Sequence, residues 1–205
     1  MRAWLIGNGP SLAHTPLHLL AGETCFATGR IHLLFDQTVW RPTHYVRVEE
    51  SGIDIAAWAD DVKAVLTCGA ALYLSAGFRG HYHDYNLRQH EQPGTRVEWV
   101  ETCDGNHGCG WHLPRLCFKG GSLLVAIQIA ISEGYEPLYL LGCDLGNRHF
   151  CDDYERGEVR KDDTWLRIGH AAALMDSPVA IYNATLGGNL NMYERVDMLD
   201  VLNGN

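Results

Sequence analysis

Residues 122–142 constrain the fold most. "SLLVAIQIAISEGY" (122–135) has helical character, is strongly apolar and reaches a stop at Gly134. "PLYLLG" (137–142) follows as a short apolar run bounded by a proline and a glycine, the mark of a buried strand. The same alternation runs through the chain. "RAWLI" (2–6) reads as the first strand, and "TPLHLLAG" (15–22) as a short helix that Thr15 caps, Pro16 enters and Gly22 ends. "TCFATG" (24–29) is a second apolar run, and "THYVRVEE" (43–50) alternates as a strand does. "DIAAWADDV" (54–62) predicts a helix, with strands expected at 63–68, 71–76, 96–101 and 178–183 and helices at 164–175 and 192–202. Strands alternating with helices predict an α/β fold: one Rossmann-like domain over 1–205, with a mainly parallel sheet and helices on both faces. Residues 77–118 depart from this pattern. They are rich in Gly, His, Asn and aromatics, and are expected to be an irregular lid or insert.

In open parallel sheets, ligands bind beyond the carboxyl ends of the strands. This directs attention to residues 7–12, 29–32, 142–150 and 183–189. The first strand runs into Gly7-Asn8-Gly9-Pro10-Ser11, a richer turn than a simple connection requires. Glycines let backbone approach a ligand, and successive N–H groups at a helix start hold an anion without a lysine. Asn8 and Ser11 add side-chain donors; the structural alternative is a tight turn capped by Ser11. The loop lacks the third glycine of a dinucleotide fingerprint, since Leu12 stands there, and it lacks the Gly-Lys-Ser/Thr of a Walker loop. Gly29 and Arg30 follow the second apolar run, and Asn183 ends a later strand. A second amide set is expected at Gly121-Ser122, where Ser122 also suits an N-cap. Two such starts facing each other across one crevice would hold a diphosphate or phosphodiester.

The formal charge is −9, and no segment concentrates Lys or Arg, which argues against a nucleic-acid polymer as partner. A nucleotide held on backbone amides remains compatible. No apolar stretch reaches membrane-spanning length, and no secretory leader is visible. Seven scattered cysteines suit a reducing cytoplasm better than a disulfide framework.

"GCDLGNRHFCDDY" (142–154) gathers chemistry after a buried strand. Asp144 suits a ribose hydroxyl or a metal, and His149 a general base. Asp152 and Asp153 suit Mg²⁺ if both reach it from a loop. A solvated polar loop is the plainer alternative. Cys103, His107, Cys109, His112 and Cys117 are zinc-type donors, but their C-x5-C and H-x4-H spacings match no strong zinc signature, so a glycine-rich lid is the expectation.

"GNGPSL", "GGSLLVAIQIAISEGYEPLYLLGCDLG" (120–146) and "IYNATLGGNL" (181–190) together resemble a superfamily. It holds the family 42 bacterial sialyltransferases and uncharacterised proteins similar to archaeal hydroxymethylpterin pyrophosphokinases. The resemblance covers about half the chain. It implies a Rossmann-like sheet that holds a nucleotide through Asn8, Gly9, Ser11 and Ser122, with Asp144 at the edge of the site and His170 as the closest match to the family's base. Those enzymes carry an Asn at the end of strand two, where this chain has Gly29 and Arg30. The expected activity is glycosyl transfer, sialyl-like and without a cofactor, from a nucleotide-sugar to a small-molecule or glycan hydroxyl. The alternatives are Mg²⁺-dependent pyrophosphoryl transfer from ATP and a non-catalytic nucleotide or sugar-phosphate binding module.

Overall fold

The computed structural model describes residues 1–50, 53–103, 115–117, 121–146, 148–155 and 177–204. Its centre is an all-parallel sheet of seven strands: β1 (Ala3–Ile6), β2 (Cys25–Thr28), β3 (His44–Arg47), β4 (Ala71–Ser75), β5 (Val97–Cys103), β7 (Leu138–Leu141) and β8 (Ile181–Asn183). A short β6 (Arg115–Cys117) pairs outside β5, also in parallel. The order across the sheet is β6-β5-β4-β3-β2-β1-β7-β8. The chain therefore walks outward from β1 to β6, then returns to lay β7 on the other side of β1. Strand order reverses between β1 and β7.

The sheet separates two apolar cores, and the two-residue period of each strand feeds both. Trp4, Ile6, Cys25, Ala27, Tyr45, Leu72, Leu74 and Leu141 enter one core. Ala3, Leu5, Phe26, Val46, Tyr73, Leu138 and Leu140 enter the other. The first core is closed by α1 (Ile55–Leu66), whose Trp58, Val62, Val65 and Leu66 recur at helical spacing. Asp54 caps α1 by accepting the Ala57 amide at 3.1 Å. The second core is closed by α3 (Gly121–Ser132), which crosses β1, β2 and β3 and is buried continuously from Leu124 to Ile131. An apolar helix of this kind has no polar face to offer water, so it must be covered all round. Gly134, at φ 83°, ends it, and the Tyr135 amide returns to the Ala130 carbonyl at 3.0 Å.

Several local expectations change. Residues 63–66 are the last turn of α1, not a strand, because Val65 and Leu66 continue the face set by Trp58 and Val62. Residues 15–22 form no α-helix; tight turns at Pro10–His14 and Leu17–Leu20 take that place. The closing helix shrinks to α4 (Met198–Asn203), capped by Asp197. Upstream of it, Glu194 and Val196 pair with Asn183, which draws that segment into the sheet edge. Within 77–118, α2 (Arg79–Asp84) and β5 are regular, and Phe78, Tyr82 and Leu87 are buried in the first core. Residues 104–114 and the helix expected at 164–175 lie outside the described residues. Among the described residues, no helix is long and apolar enough to cross a membrane.

Candidate functional site

At the reversal, the loop after β1 and the loop after β7 are pressed together. Gly7 and Gly9 donate their amides to the carbonyls of Leu141 and Gly142, each at 2.8 Å. A Cβ on Gly7 would stand 2.5 Å from the Gly142 carbonyl oxygen, and one on Gly9 would stand 1.9 Å from Asp144 Oδ2. The glycines thus admit a second backbone and a carboxylate from the same chain. Pro10 begins the tight turn that follows.

Asp144 accepts the Ser11 amide at 3.2 Å and the Ser11 hydroxyl at 2.7 Å. Its carbonyl takes the Asn189 amide at 2.8 Å, and Gly188 packs against its backbone. At the second expected amide set, Ser122 donates its amide to Glu49 Oε1 at 3.0 Å and its hydroxyl to Glu49 Oε2. Burial alone would push Glu49 upward. The Arg47 guanidinium and the Ser122 bonds outweigh it and hold the carboxyl below its ordinary range. Each of the two amide sets carries a carboxylate of this chain, and Leu12 and α3 lie in cores on opposite faces of the sheet. Asn183 is turned inward. It is fully buried, its amide nitrogen donating to Leu190 O at 2.7 Å and its oxygen accepting the Thr185 amide at 3.0 Å. It shapes the loop after β8.

The expected residues that do meet lie over β1 and β2. Asn8 donates to the Thr28 carbonyl and hydroxyl at 3.1 and 3.2 Å, while its own Oδ1 is buried without a hydrogen-bond partner among the described residues. Gly29, at φ 59°, sits beside Asn8, and a Cβ there would stand 2.2 Å from the Tyr154 hydroxyl. The Arg30 amide donates to that hydroxyl at 3.2 Å, and the Arg30 guanidinium holds the carbonyls of Asp153 and Tyr154 at 2.5 and 2.8 Å. His149 stacks on the Tyr154 ring with centroids 3.8 Å apart. The Phe150 amide bonds the Asn8 carbonyl at 3.0 Å. Residues 149–154 therefore fold as a strap over the ends of β1 and β2. Asp152 and Asp153 lie in that strap. Among the described residues, no three His, Cys, Asp or Glu side chains converge as a metal set. His170 and most of the cysteine–histidine cluster lie outside the described residues.

Beneath the strap lies a charged group that the motif reading left out. Asp61 of α1 is only 1% exposed. Arg30 Nε stands 3.5 Å from its carboxylate, His32 Nε2 3.6 Å and Arg47 Nη2 4.0 Å. Tyr45 donates its hydroxyl to the Gly29 carbonyl at 2.6 Å, and burial pushes its phenol upward. The signal was present in "YVRVE". Tyr45, Arg47 and Glu49 share one parity, so the strand that sends Val46 and Val48 into one core sends charge toward the other.

A groove of about 680 Å³ opens at the opposite, amino end of the strands, between Thr43, His44, Arg96, Glu133 and Tyr135. Its charges are already matched, with Arg96 on Glu133 at 2.6 Å and His44 Nε2 3.6 Å from the same carboxylate. We place the candidate site at the carboxyl ends, where the loops after β1, β2 and β7 gather Asn8, Gly29, Arg30 and His149.

No family model and no curated protein matches the chain. Among solved structures, it is similar to the MAf glycosyltransferase from Magnetospirillum magneticum AMB-1, with a TM-score of 0.63 and 16% identity over 95% of this chain. The match spans 33% of that protein's length. At this identity the likeness establishes the fold: an all-parallel α/β sheet of the kind found in a bacterial glycosyltransferase.

Proposed function

We propose that this chain is a nucleotide-dependent transferase that moves a glycosyl group from a nucleotide-sugar to a hydroxyl acceptor. The observation that carries the reading is the convergence of Asn8, Gly29, Arg30 and His149 at the strand reversal, the place where open α/β sheets take ligands. The glycosyltransferase-like fold supports the same class. The buried, unpartnered Oδ1 of Asn8 is an acceptor waiting for a donor group. In this reading, His149 takes the proton of the acceptor hydroxyl as that oxygen bonds the anomeric carbon. The bond from that carbon to the leaving phosphate breaks, and the Arg30 guanidinium stabilises the charge the phosphate gains. Sialyl transfer from a cytidine nucleotide is the specific form that the sequence resemblance implies.

Pyrophosphoryl transfer from ATP is less well supported. It needs Mg²⁺ held by carboxylates, and Asp144 already serves Ser11. Thermal unfolding with cytidine, uridine, guanosine and adenosine nucleotides, with and without Mg²⁺, tests these readings. A rise with cytidine monophosphate that needs no metal, followed by donor turnover, supports glycosyl transfer. A rise with ATP only in the presence of Mg²⁺ moves the assignment to pyrophosphoryl transfer. Binding without turnover or slow donor hydrolysis makes the chain a binding module. No response to any nucleotide or nucleotide-sugar overturns the proposal.

A further inference from the structure

Arg47 ends β3 with its side chain only 13% exposed, and among the described residues its guanidinium makes no hydrogen bond. Its carboxylate neighbours stop short, Glu49 at 3.6 Å and Asp61 at 4.0 Å. The Nε atom is buried and without a partner. Arg2, Arg30, Arg41, Arg96 and Arg195 each place at least one N–H on an oxygen. Arg47 therefore keeps one buried donor, Nε, unspent. Buried polar groups in folded proteins are almost always paired, and an exception calls for a missing partner.

The guanidinium itself sets the chemistry of that partner, since it only donates. Glu49 is bonded to the amide and hydroxyl of Ser122 at the start of α3. Asp61 faces Arg47, Arg30 and His32. Arg47 thus meets both carboxylates at ion-pair distance, and its buried Nε is bonded to neither. A guanidinium presents a planar fork of donors that matches two oxygens of a phosphate or carboxylate.

We propose that Arg47, with Arg30 across Asp61, is the seat of an oxyanion of the substrate, beside the strap that carries Tyr154. A phosphate of the nucleotide and a carboxylate of the transferred sugar share this chemistry. The inference rests on the transferase reading only for the identity of the donor; the seat rests on Arg47 itself.

The test is isothermal titration of wild type, R47K and R47Q with pyrophosphate, with cytidine monophosphate against cytidine, and with glucuronate. The wild type binds at least one of the anions. R47K binds it about ten-fold or more weakly, because an ammonium cannot present the fork, and R47Q loses it. A loss for cytidine monophosphate but not for cytidine assigns a phosphate; a loss for glucuronate assigns a carboxylate. R47K keeps the charge, so the comparison stands even where R47Q fails to fold. Equal affinities in wild type and R47K, or no anion binding by wild type, overturn the seat. Donor turnover that R47K leaves unchanged would remove the seat and keep the transferase. Anion binding that depends on Arg47, without any nucleotide response, would keep the seat and remove the transferase.

Discussion

Asp144 and Ser11 stand 133 positions apart, yet the carboxylate of one accepts both the amide and the hydroxyl of the other, at 3.2 and 2.7 Å. This contact ties the loop after β7 to the loop after β1 at the strand reversal. It also means that the first turn of "GNGPS" is satisfied from within the chain.

Asp144→Ala is expected to destabilise the protein by about 1–3 kcal/mol, because it strands two donors in a part-buried place. Ser11→Ala should cost less, and the double variant should fall short of the sum, since the two side chains share one interaction. Chemical denaturation of the four proteins measures this. Strict additivity would show that the contact contributes nothing.

Two glycine substitutions should differ in sign. Gly9→Ala drives a Cβ to 1.9 Å from Asp144 Oδ2 and 2.8 Å from the Gly142 carbonyl. A cost of about 1–3 kcal/mol is expected for this overpacking. Gly80 lies within α2 with nothing within 4 Å of its Cβ position, so Gly80→Ala should stabilise by up to about 1 kcal/mol. Melting temperatures of the pair check the contrast.

Glu49 sets part of the acid limit. Its carboxyl is held below its ordinary value of 4.5 in the folded protein, because Arg47 and Ser122 outweigh burial. A depressed carboxyl contributes stability that is present above its unfolded pKa and lost as the pH falls through the folded one. Unfolding free energy should therefore decline below about pH 4.5, and Glu49→Gln should flatten that decline while lowering stability near neutrality. An unchanged acid slope in the variant would reject the assignment.

Four described thiols divide by burial. Cys25 and Cys143 are buried, and burial pushes both up to about 12. Cys68 and Cys151 are only partly covered. Alkylation of the native protein near pH 8, read by peptide mass mapping, should mark Cys68 and Cys151 and spare Cys25 and Cys143 until the chain unfolds.

His149→Ala should lower turnover of a nucleotide-sugar by about 100- to 10,000-fold, the usual weight of a general base, with donor affinity little changed. A variant that keeps wild-type turnover would move the base elsewhere.

The parallel α/β architecture was legible because burial on both faces leaves a local trace. Runs such as "AWLI" and "LYLL" carry no polar face, and "DIAAWADDV" carries helical spacing. Local reading faltered where a short apolar run suits either element. "KAVLTC" reads as a strand alone, and becomes a helix end only because α1 lies along the first core. The motif at 7–11 was visible as a special backbone, but its occupant was not. Glycine spacing announces a close approach without naming what approaches, and Asp144 and Glu49 reach their amides through the order of the strands. The sequence by itself determined the layers and the loops that meet at the strand reversal, since both follow from local periodicity. Only the tertiary structure decided which carboxylates fill those loops and that the Nε of Arg47 is buried without a hydrogen-bond partner among the described residues, because long-range pairing depends on which distant segments share a sheet end.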